Sequence, residues 1–137
     1  MYNYKDIKSI HLEVTSKCQA RCPMCPRRLQ GGPLLDSLYL EEITLDIFKK
    51  WFPVDFIHQL EHVYMCGNLG DPIIAKDTLK IFRYMRELNP DMSLQMHTNG
   101  SGRTEKWWTE LAELKVKTVF GIDGLQDTHA LLSLIHI

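Results

Sequence analysis

The sequence has no long hydrophobic run, no excess of charge of either sign and no internal repeat. None of its apolar stretches reaches the roughly 18 consecutive residues that a membrane span needs. Its first residues, Met1 to Lys5, are polar and aromatic and do not form the apolar segment of a secretory signal. The formal net charge is −1, which argues against binding to nucleic acid or to a membrane surface through bulk charge. These absences predict a cytoplasmic protein that binds neither nucleic acid nor a membrane.

The chain holds enough apolar material for one hydrophobic core. Its 137 residues are 45% hydrophobic and 24% charged, which is typical of a globular domain. The apolar periodicity predicts strands at 10–14, 61–66, 92–97 and 117–122, and helices at 44–52, 77–89 and 104–114. Thr44 is a plausible cap for the first helix, and Pro53 is expected to end it. The order β-α-β-α-β-α-β predicts an α/β fold with a parallel sheet.

Polar side chains occupy one face of each of the first three predicted strands. They include His11 on the first strand, Tyr64 on the second, and Gln95 and His97 on the third. Parallel strands that are buried on both faces usually consist of near-continuous hydrophobic runs. The polar row therefore indicates either a curved sheet that lines a ligand cavity or a sheet with one face in solvent, and the sequence favours neither.

Three cysteines directly after the first strand carry the strongest chemical signal. Cys18, Cys22 and Cys25 have the spacing C-x3-C-x2-C, and the absence of a secretory signal favours metal binding or catalysis over disulfides. A structural zinc site needs four ligands, and no fourth cysteine or histidine lies at finger-like spacing. Three thiolates on a four-iron cluster would leave one iron open, as in reactive metal sites. A zinc knot or a chance grouping is the alternative.

This segment resembles the signature of the radical S-adenosylmethionine (SAM) superfamily, C-x3-C-x-Φ-C, which follows the first strand of a partial (β/α) barrel. The resemblance implies that the three cysteines hold a 4Fe–4S cluster, whose open iron is chelated by the amino and carboxylate groups of SAM. Electron donation then cleaves SAM to methionine and a 5′-deoxyadenosyl radical, which abstracts hydrogen from the substrate. A reductase or a flavodoxin-like protein is the implied electron donor. Φ is commonly aromatic, whereas this chain has Met24, whose main chain is still expected to contact the adenine.

The end of the second strand carries another motif similar to one of this family. Gly70, Asp71 and Pro72 match the Gly-Gly-Glu-Pro segment that binds the amino group of SAM, with Asp in place of Glu and Leu69 in place of the first Gly. Taken alone, Gly-Asp-Pro is an ordinary turn. Its position one β-α unit after the cysteine loop favours the cofactor contact.

The third and fourth strands end in weaker motifs. Thr98 and Asn99 precede a glycine, similar to the family's Thr-Asn-Gly, and could reach the ribose or carboxylate of SAM; a simple Asn-Gly turn is the alternative. Asp123 stands in a stretch similar to Ser-x-Asp-Gly, with Gly121 where a serine is often found. Asp123 could face the cofactor or cap the following turn.

Two further features near the cysteines have simpler interpretations. Cys66, at the end of the second strand, is interpreted as a small buried residue, because a fourth cluster ligand would close the open iron. Arg21, Arg27 and Arg28 could pair with the SAM carboxylate or the substrate, but solvated surface side chains are the simpler interpretation.

The chain is short for the fold that the resemblance implies. At about 31 residues per β-α unit it has room for about four units, whereas the radical SAM barrel has six. We therefore expect residues 1–131 to be the N-terminal part of a radical SAM core domain, inactive as a fragment. Residues 132–137, Leu-Ser-Leu-Ile-His-Ile, back-translate to a string that resembles a sequencing-library adapter and are expected to be a non-native tail.

The substrate is not readable from these residues. The motifs are most similar to the group whose members often carry SPASM-type auxiliary-cluster extensions and modify peptides, so a peptide or another small molecule is expected. A non-catalytic Fe–S or zinc-binding module, which uses the same cysteines for electron transfer or structure, is the competing function.

Overall fold

The computed structural model describes residues 3–30, 32–122 and 124–125. Its strands are β1 (Ser9–Leu12), β2 (His62–Met65), β3 (Ser93–Thr98) and β4 (Lys117–Phe120). Its helices are α1 (Leu45–Trp51), α2 (Val54–Gln59), α3 (Thr78–Leu88) and α4 (Glu105–Glu113). The strands form one sheet in the order β1-β2-β3-β4, with every neighbouring pair parallel. The predicted α/β fold with a parallel sheet is confirmed.

The two faces of the sheet differ sharply in polarity. In the register of the sheet, Leu12 lies beside Met65 and Met65 beside Met96, and all three are buried. This face packs against the helices, which contribute Phe48, Phe82 and Leu111 among others. The opposite face carries the predicted polar row and is only partly covered by the described residues. The predicted polar row is therefore confirmed. It arises because successive side chains of a strand point to opposite faces of the sheet.

The core is rich in methionine. Met65, Met85, Met92 and Met96 are all at most 2% exposed and belong to one hydrophobic cluster. Methionine is flexible and fills irregular gaps, so it suits the space between a twisted sheet and short helices. Among the described residues, no helix has both the length and the apolar character needed to cross a membrane.

The region around Pro53 differs from the prediction. Thr44 does cap α1, since its hydroxyl accepts a hydrogen bond from the N–H of Ile47 at 3.3 Å. Pro53 ends α1 but also directly precedes α2, which the sequence analysis did not predict. Proline fits the start of a helix because the N–H that it lacks would have no helical partner there. Phe56 and Ile57 of α2 are buried in the core.

Asp77 connects the beginnings of two helices. It directly precedes α3, but its Oδ2 accepts a hydrogen bond from the N–H of Leu45, the first residue of α1, at 3.0 Å. Its Oδ1 lies 2.7 Å from Nζ of Lys80. The hydrogen bond with Lys80 and that from Leu45 lower the pKa of Asp77 below its usual value.

We expect Asp77→Asn to lower the free energy of unfolding by about 1 kcal/mol at pH 7, because the charged cap of α1 is lost. The lowered pKa means that this stabilisation is complete above the pKa of the unfolded chain and disappears as the pH falls through the folded value. Urea unfolding at pH 7 and at steps below about pH 4 should therefore show the two proteins converging. The exposed Asp91→Asn variant is the control, and a deficit of Asp77→Asn that is independent of pH would contradict the assignment.

Candidate functional site

A cavity of about 270 Å³ lies at the end of the sheet where the four strands finish. It is lined by residues at the ends of β3 and β4 and in the segments that follow the four strands: Cys18, Ala20, Cys22, Cys25, Arg27, Cys66, Gly67, Asn68, Gly70, Asp71, His97, Thr98, Asn99, Val119 and Gly121. In barrels and open α/β sheets, ligands bind at this carboxyl end of the strands. The topology thus creates one candidate site from four separate loops.

Most of the site residues predicted from the sequence line this cavity. They are Cys18, Cys22, Cys25, Gly70, Asp71, Thr98 and Asn99. Met24 is 87% exposed and Pro72 is buried, and neither lines it. Asp123 and residues 126–137, including the predicted tail, lie outside the described residues. The roles of these side chains as ligands stay predictions.

The cysteine loop has little regular structure of its own. It turns through hydrogen bonds from the N–H of Cys25 to the carbonyl of Cys22 and from the N–H of Arg28 to that of Cys25, each 3.1 Å long. All three cysteines are partly exposed and none forms a disulfide. The described residues contain no group of three His, Cys, Asp or Glu side chains gathered to hold a single metal ion. Three cysteine thiols around one cavity are nevertheless the donor set that iron–sulfur clusters use.

Cys18 is the most constrained of the three cysteines. Burial raises the pKa of its thiol, and the charge of Asp71 acts in the same direction. A hydrogen bond from the main chain of Ala20 and the charge of Arg27 oppose this rise in pKa. Nδ2 of Asn99 lies 3.5 Å from its Sγ, at hydrogen-bond distance. Asn99, at the end of β3, therefore contacts the cysteine loop directly.

The loop after β2 packs closely against the chain after β1. The N–H of Asp71 donates to the carbonyl of Lys17 at 2.9 Å. A Cβ atom on Gly70 would lie only 1.9 Å from the carbonyl oxygen of Thr15. Gly70 is therefore required by this close approach of two main chains.

The carboxylate of Asp71 joins the loop after β2 to the loop after β3. It is 4% exposed and accepts hydrogen bonds from the Thr98 hydroxyl and the Asn99 N–H, both at 2.8 Å. A third comes from the N–H of Ile73 at 3.1 Å. The Thr98 hydroxyl in turn accepts from the N–H of Gly100 at 3.0 Å. The side chains of Asp71 and Thr98 thus hold the loops together, which the sequence analysis did not foresee.

Arg27 and Cys66 differ from their sequence interpretations. Arg27 is only 3% exposed, not solvated, and donates to the carbonyls of Cys18 at 3.3 Å and Ser16 at 2.9 Å. Arg21 is exposed as expected. Nothing in the charge pattern separates these neighbouring arginines, so the sequence could not identify the buried one.

Cys66 is partly exposed rather than buried, and desolvation, with the charges of Glu13 and Asp71, raises the pKa of its thiol.

We expect Gly70→Ala to lower the free energy of unfolding by about 2 kcal/mol or more, because its methyl group cannot fit beside the Thr15 carbonyl. Gly102→Ala is the matched control, since its Cβ would meet only side-chain atoms at 3.4 and 3.8 Å. It should change stability by less than about 0.5 kcal/mol. Urea unfolding of the three proteins checks this, and equal stability of Gly70→Ala and the parent chain would contradict the contact.

Comparison with known proteins gives two curated relatives. The tungsten-containing aldehyde ferredoxin oxidoreductase cofactor-modifying protein of Pyrococcus furiosus is 31% identical over 135 residues, which cover 96% of this chain and 35% of that protein. The FeMo cofactor biosynthesis protein NifB of Methanocaldococcus jannaschii is 28% identical over 117 residues, which cover 80% of this chain and 37% of that protein. The chain thus spans about a third of the length of these relatives. No protein-family model matches the sequence.

The fold also matches a solved structure. The crystal structure of BtrN in complex with AdoMet and 2-DOIA superposes with a TM-score of 0.63 at 23% identity, over 82% of this chain and 44% of BtrN. At this identity the match supports the fold. The two relatives are radical SAM-related proteins and BtrN is a radical SAM enzyme. Together with the cysteine loop at the end of β1, these similarities show that the chain belongs to the radical SAM superfamily.

Proposed function

We propose that this chain supplies the cluster- and SAM-binding part of a radical SAM enzyme. The observation that carries the proposal is the single cavity that Cys18, Cys22 and Cys25 share with the loops after β2 and β3. When bound there, a 4Fe–4S cluster supplies the electron that cleaves SAM to methionine and the 5′-deoxyadenosyl radical, which abstracts hydrogen from the substrate. A reductase or a flavodoxin-like protein is the proposed source of that electron.

The residues of the chain have distinct tasks in this proposal. The three cysteines hold the cluster, and the Asn99 amide donates to Cys18 Sγ and so fixes the orientation of one ligand. The loop that contains Gly70 offers main-chain groups to the amino group of SAM. Asp71 keeps that loop in place through its bonds to the end of β3.

We propose that the polar face of the sheet lies towards the substrate. His11 stacks on Tyr64 with ring centroids 4.5 Å apart, and Nε2 of Gln95 lies 2.8 Å from Nε2 of His97. His97 lines both the cysteine cavity and a second cavity of about 280 Å³ along this face. This continuity favours the ligand-cavity interpretation of the polar row over a face that merely contacts solvent.

For the substrate we propose a component of a cofactor. Both curated relatives are named for the modification or biosynthesis of a cofactor. The SPASM-type resemblance of the motifs instead favours a peptide. The polar, aromatic and imidazole groups of the sheet suit a substrate with several hydrogen-bonding groups, so they are compatible with either class.

The cysteines provide the direct test. After anaerobic reconstitution of the full-length protein with iron and sulfide, we expect Cys18→Ala, Cys22→Ala and Cys25→Ala each to lose the visible absorption of the cluster and its bound iron. Addition of dithionite and SAM to the parent protein should then yield 5′-deoxyadenosine, which chromatography quantifies. The three variants should form none.

Cys66→Ala is the matched control, because Cys66 lines the same cavity but is not a predicted ligand. It should keep the cluster absorption and the iron content. Loss of the cluster in Cys66→Ala would indicate four protein ligands and contradict an open iron. A parent protein that binds the cluster but forms no 5′-deoxyadenosine would support the alternative, a non-catalytic Fe–S module.

A further inference from the structure

Arg27 is a buried permanent charge beside the cysteines. Its side chain lines the cavity, and it is 3% exposed. Among the described residues it is the only lysine or arginine that is buried. A charge taken out of water is costly unless an opposite charge lies near it. The groups around Arg27 therefore indicate which negative charge could compensate the positive charge of its guanidinium.

The described residues around Arg27 satisfy its hydrogen bonds only in part and give it no ion-pair partner. Its two terminal nitrogens donate to the neutral main-chain carbonyls of Cys18 and Ser16. Its Nε is buried and finds no hydrogen-bond partner among the residues that the structure describes. In the part of the chain that the structure describes, no carboxylate lies within 4.0 Å of the guanidinium. Asp71 lines the same cavity, but its carboxylate is engaged by Ile73, Thr98 and Asn99.

The local chain fixes the guanidinium next to the cluster ligands. The main-chain carbonyl of Arg27 accepts a hydrogen bond from the N–H of Leu35 at 3.0 Å, so the residue is anchored at its main chain. Its side chain is anchored through the carbonyl of Cys18. A compensating negative charge can be supplied from the cavity, which three cysteines line, because each ligating thiolate carries one negative charge.

We propose that Arg27 is a positioning residue whose fixed positive charge balances the negative charge of the thiolate-bound cluster and raises its reduction potential. The inference rests on the proposed function, since it requires a cluster on Cys18, Cys22 and Cys25. Reduction adds one negative charge to the cluster, and a nearby cation in a site of low dielectric stabilises that reduced state. Arg27 thus makes electron uptake easier without contacting a reacting atom.

The test measures the cluster itself in the absence of SAM. The full-length protein and its Arg27→Gln, Arg27→Lys and Arg21→Gln variants are reconstituted anaerobically and titrated with a reductant, while electron paramagnetic resonance reports the reduced cluster. We expect Arg27→Gln to lower the ratio of reduced to oxidised cluster about tenfold at a given potential, which corresponds to about 59 mV for one electron. Arg21→Gln removes the same charge from an exposed position in the cysteine loop and should leave the ratio unchanged.

Arg27→Lys separates charge from hydrogen bonding. Lysine keeps the positive charge but not the planar fork of donors, so the ratio should stay within about threefold of the parent value. If Arg27→Gln holds a cluster with the parent ratio, Arg27 only supports the loop and the inference is wrong, while the proposed function stands. If Arg27→Gln fails to fold, Arg27→Lys decides: a near-parent ratio supports the inference, and a ratio about tenfold below the parent value, although the charge is kept, overturns it. A parent protein that binds no cluster overturns the proposed function as well.

Discussion

The site depends on the close approach of two main chains, the loop after β2 and the segment after β1. Gly70 lies against the Thr15 carbonyl at a distance that no side chain could occupy, and the N–H of Asp71 donates to Lys17 in the same contact. This contact places the second loop beside the cysteines. Asp71 then extends the connection to the end of β3 through Thr98 and Asn99. Three loops that are distant in sequence are thereby fixed relative to one another.

The electrostatics of the site follow from the same arrangement. Asp71 and Arg27 are both buried at the cavity, yet they do not form a salt bridge with each other. The carboxylate of Asp71 accepts hydrogen bonds from three donors. Among the described residues, the guanidinium of Arg27 donates only to neutral main-chain carbonyls. Hydrogen bonds can stabilise a buried charge, but they do not cancel its field. The fields of both charges therefore reach the cysteine loop, where Asp71 raises and Arg27 lowers the pKa of the Cys18 thiol.

Much of the fold could be predicted from the sequence because the spacing of apolar residues along the chain indicates which side chains are buried. The alternation in β3 and the helical periodicity of α3 predicted both elements, and Ile81, Phe82 and Met85 of α3 are buried. Helix α2 was missed because Pro53 was interpreted as an end only, although proline is equally suited to precede a helix. A proline followed by an apolar pair is a local signal that could have identified it.

The residues of the site could be predicted only where their spacing along the chain forms a recognisable motif. The three cysteines were identified from spacing within eight residues, and Gly70, Asp71, Thr98 and Asn99 from short motifs. What these residues do to one another depends on distances across the sheet, which no local pattern encodes. Asp71 shows this, since its three donors come from positions 2 to 28 residues away. The burial of Arg27 is likewise a tertiary property, because Arg21 and Arg28 are the same residue type in the same loop and are less buried.

The methionine-rich core also affects how the protein tolerates oxidants. Met65, Met85, Met92 and Met96 are shielded while the chain is folded, so their thioethers are protected from oxidants in solution. Once the chain opens, oxidation would add a polar sulfoxide to each side chain, and the gap between sheet and helices could no longer be filled by apolar atoms. Unfolding in the presence of peroxide would then become irreversible without reductive repair. Such oxidants thus act on this protein through its packing as well as through its thiols.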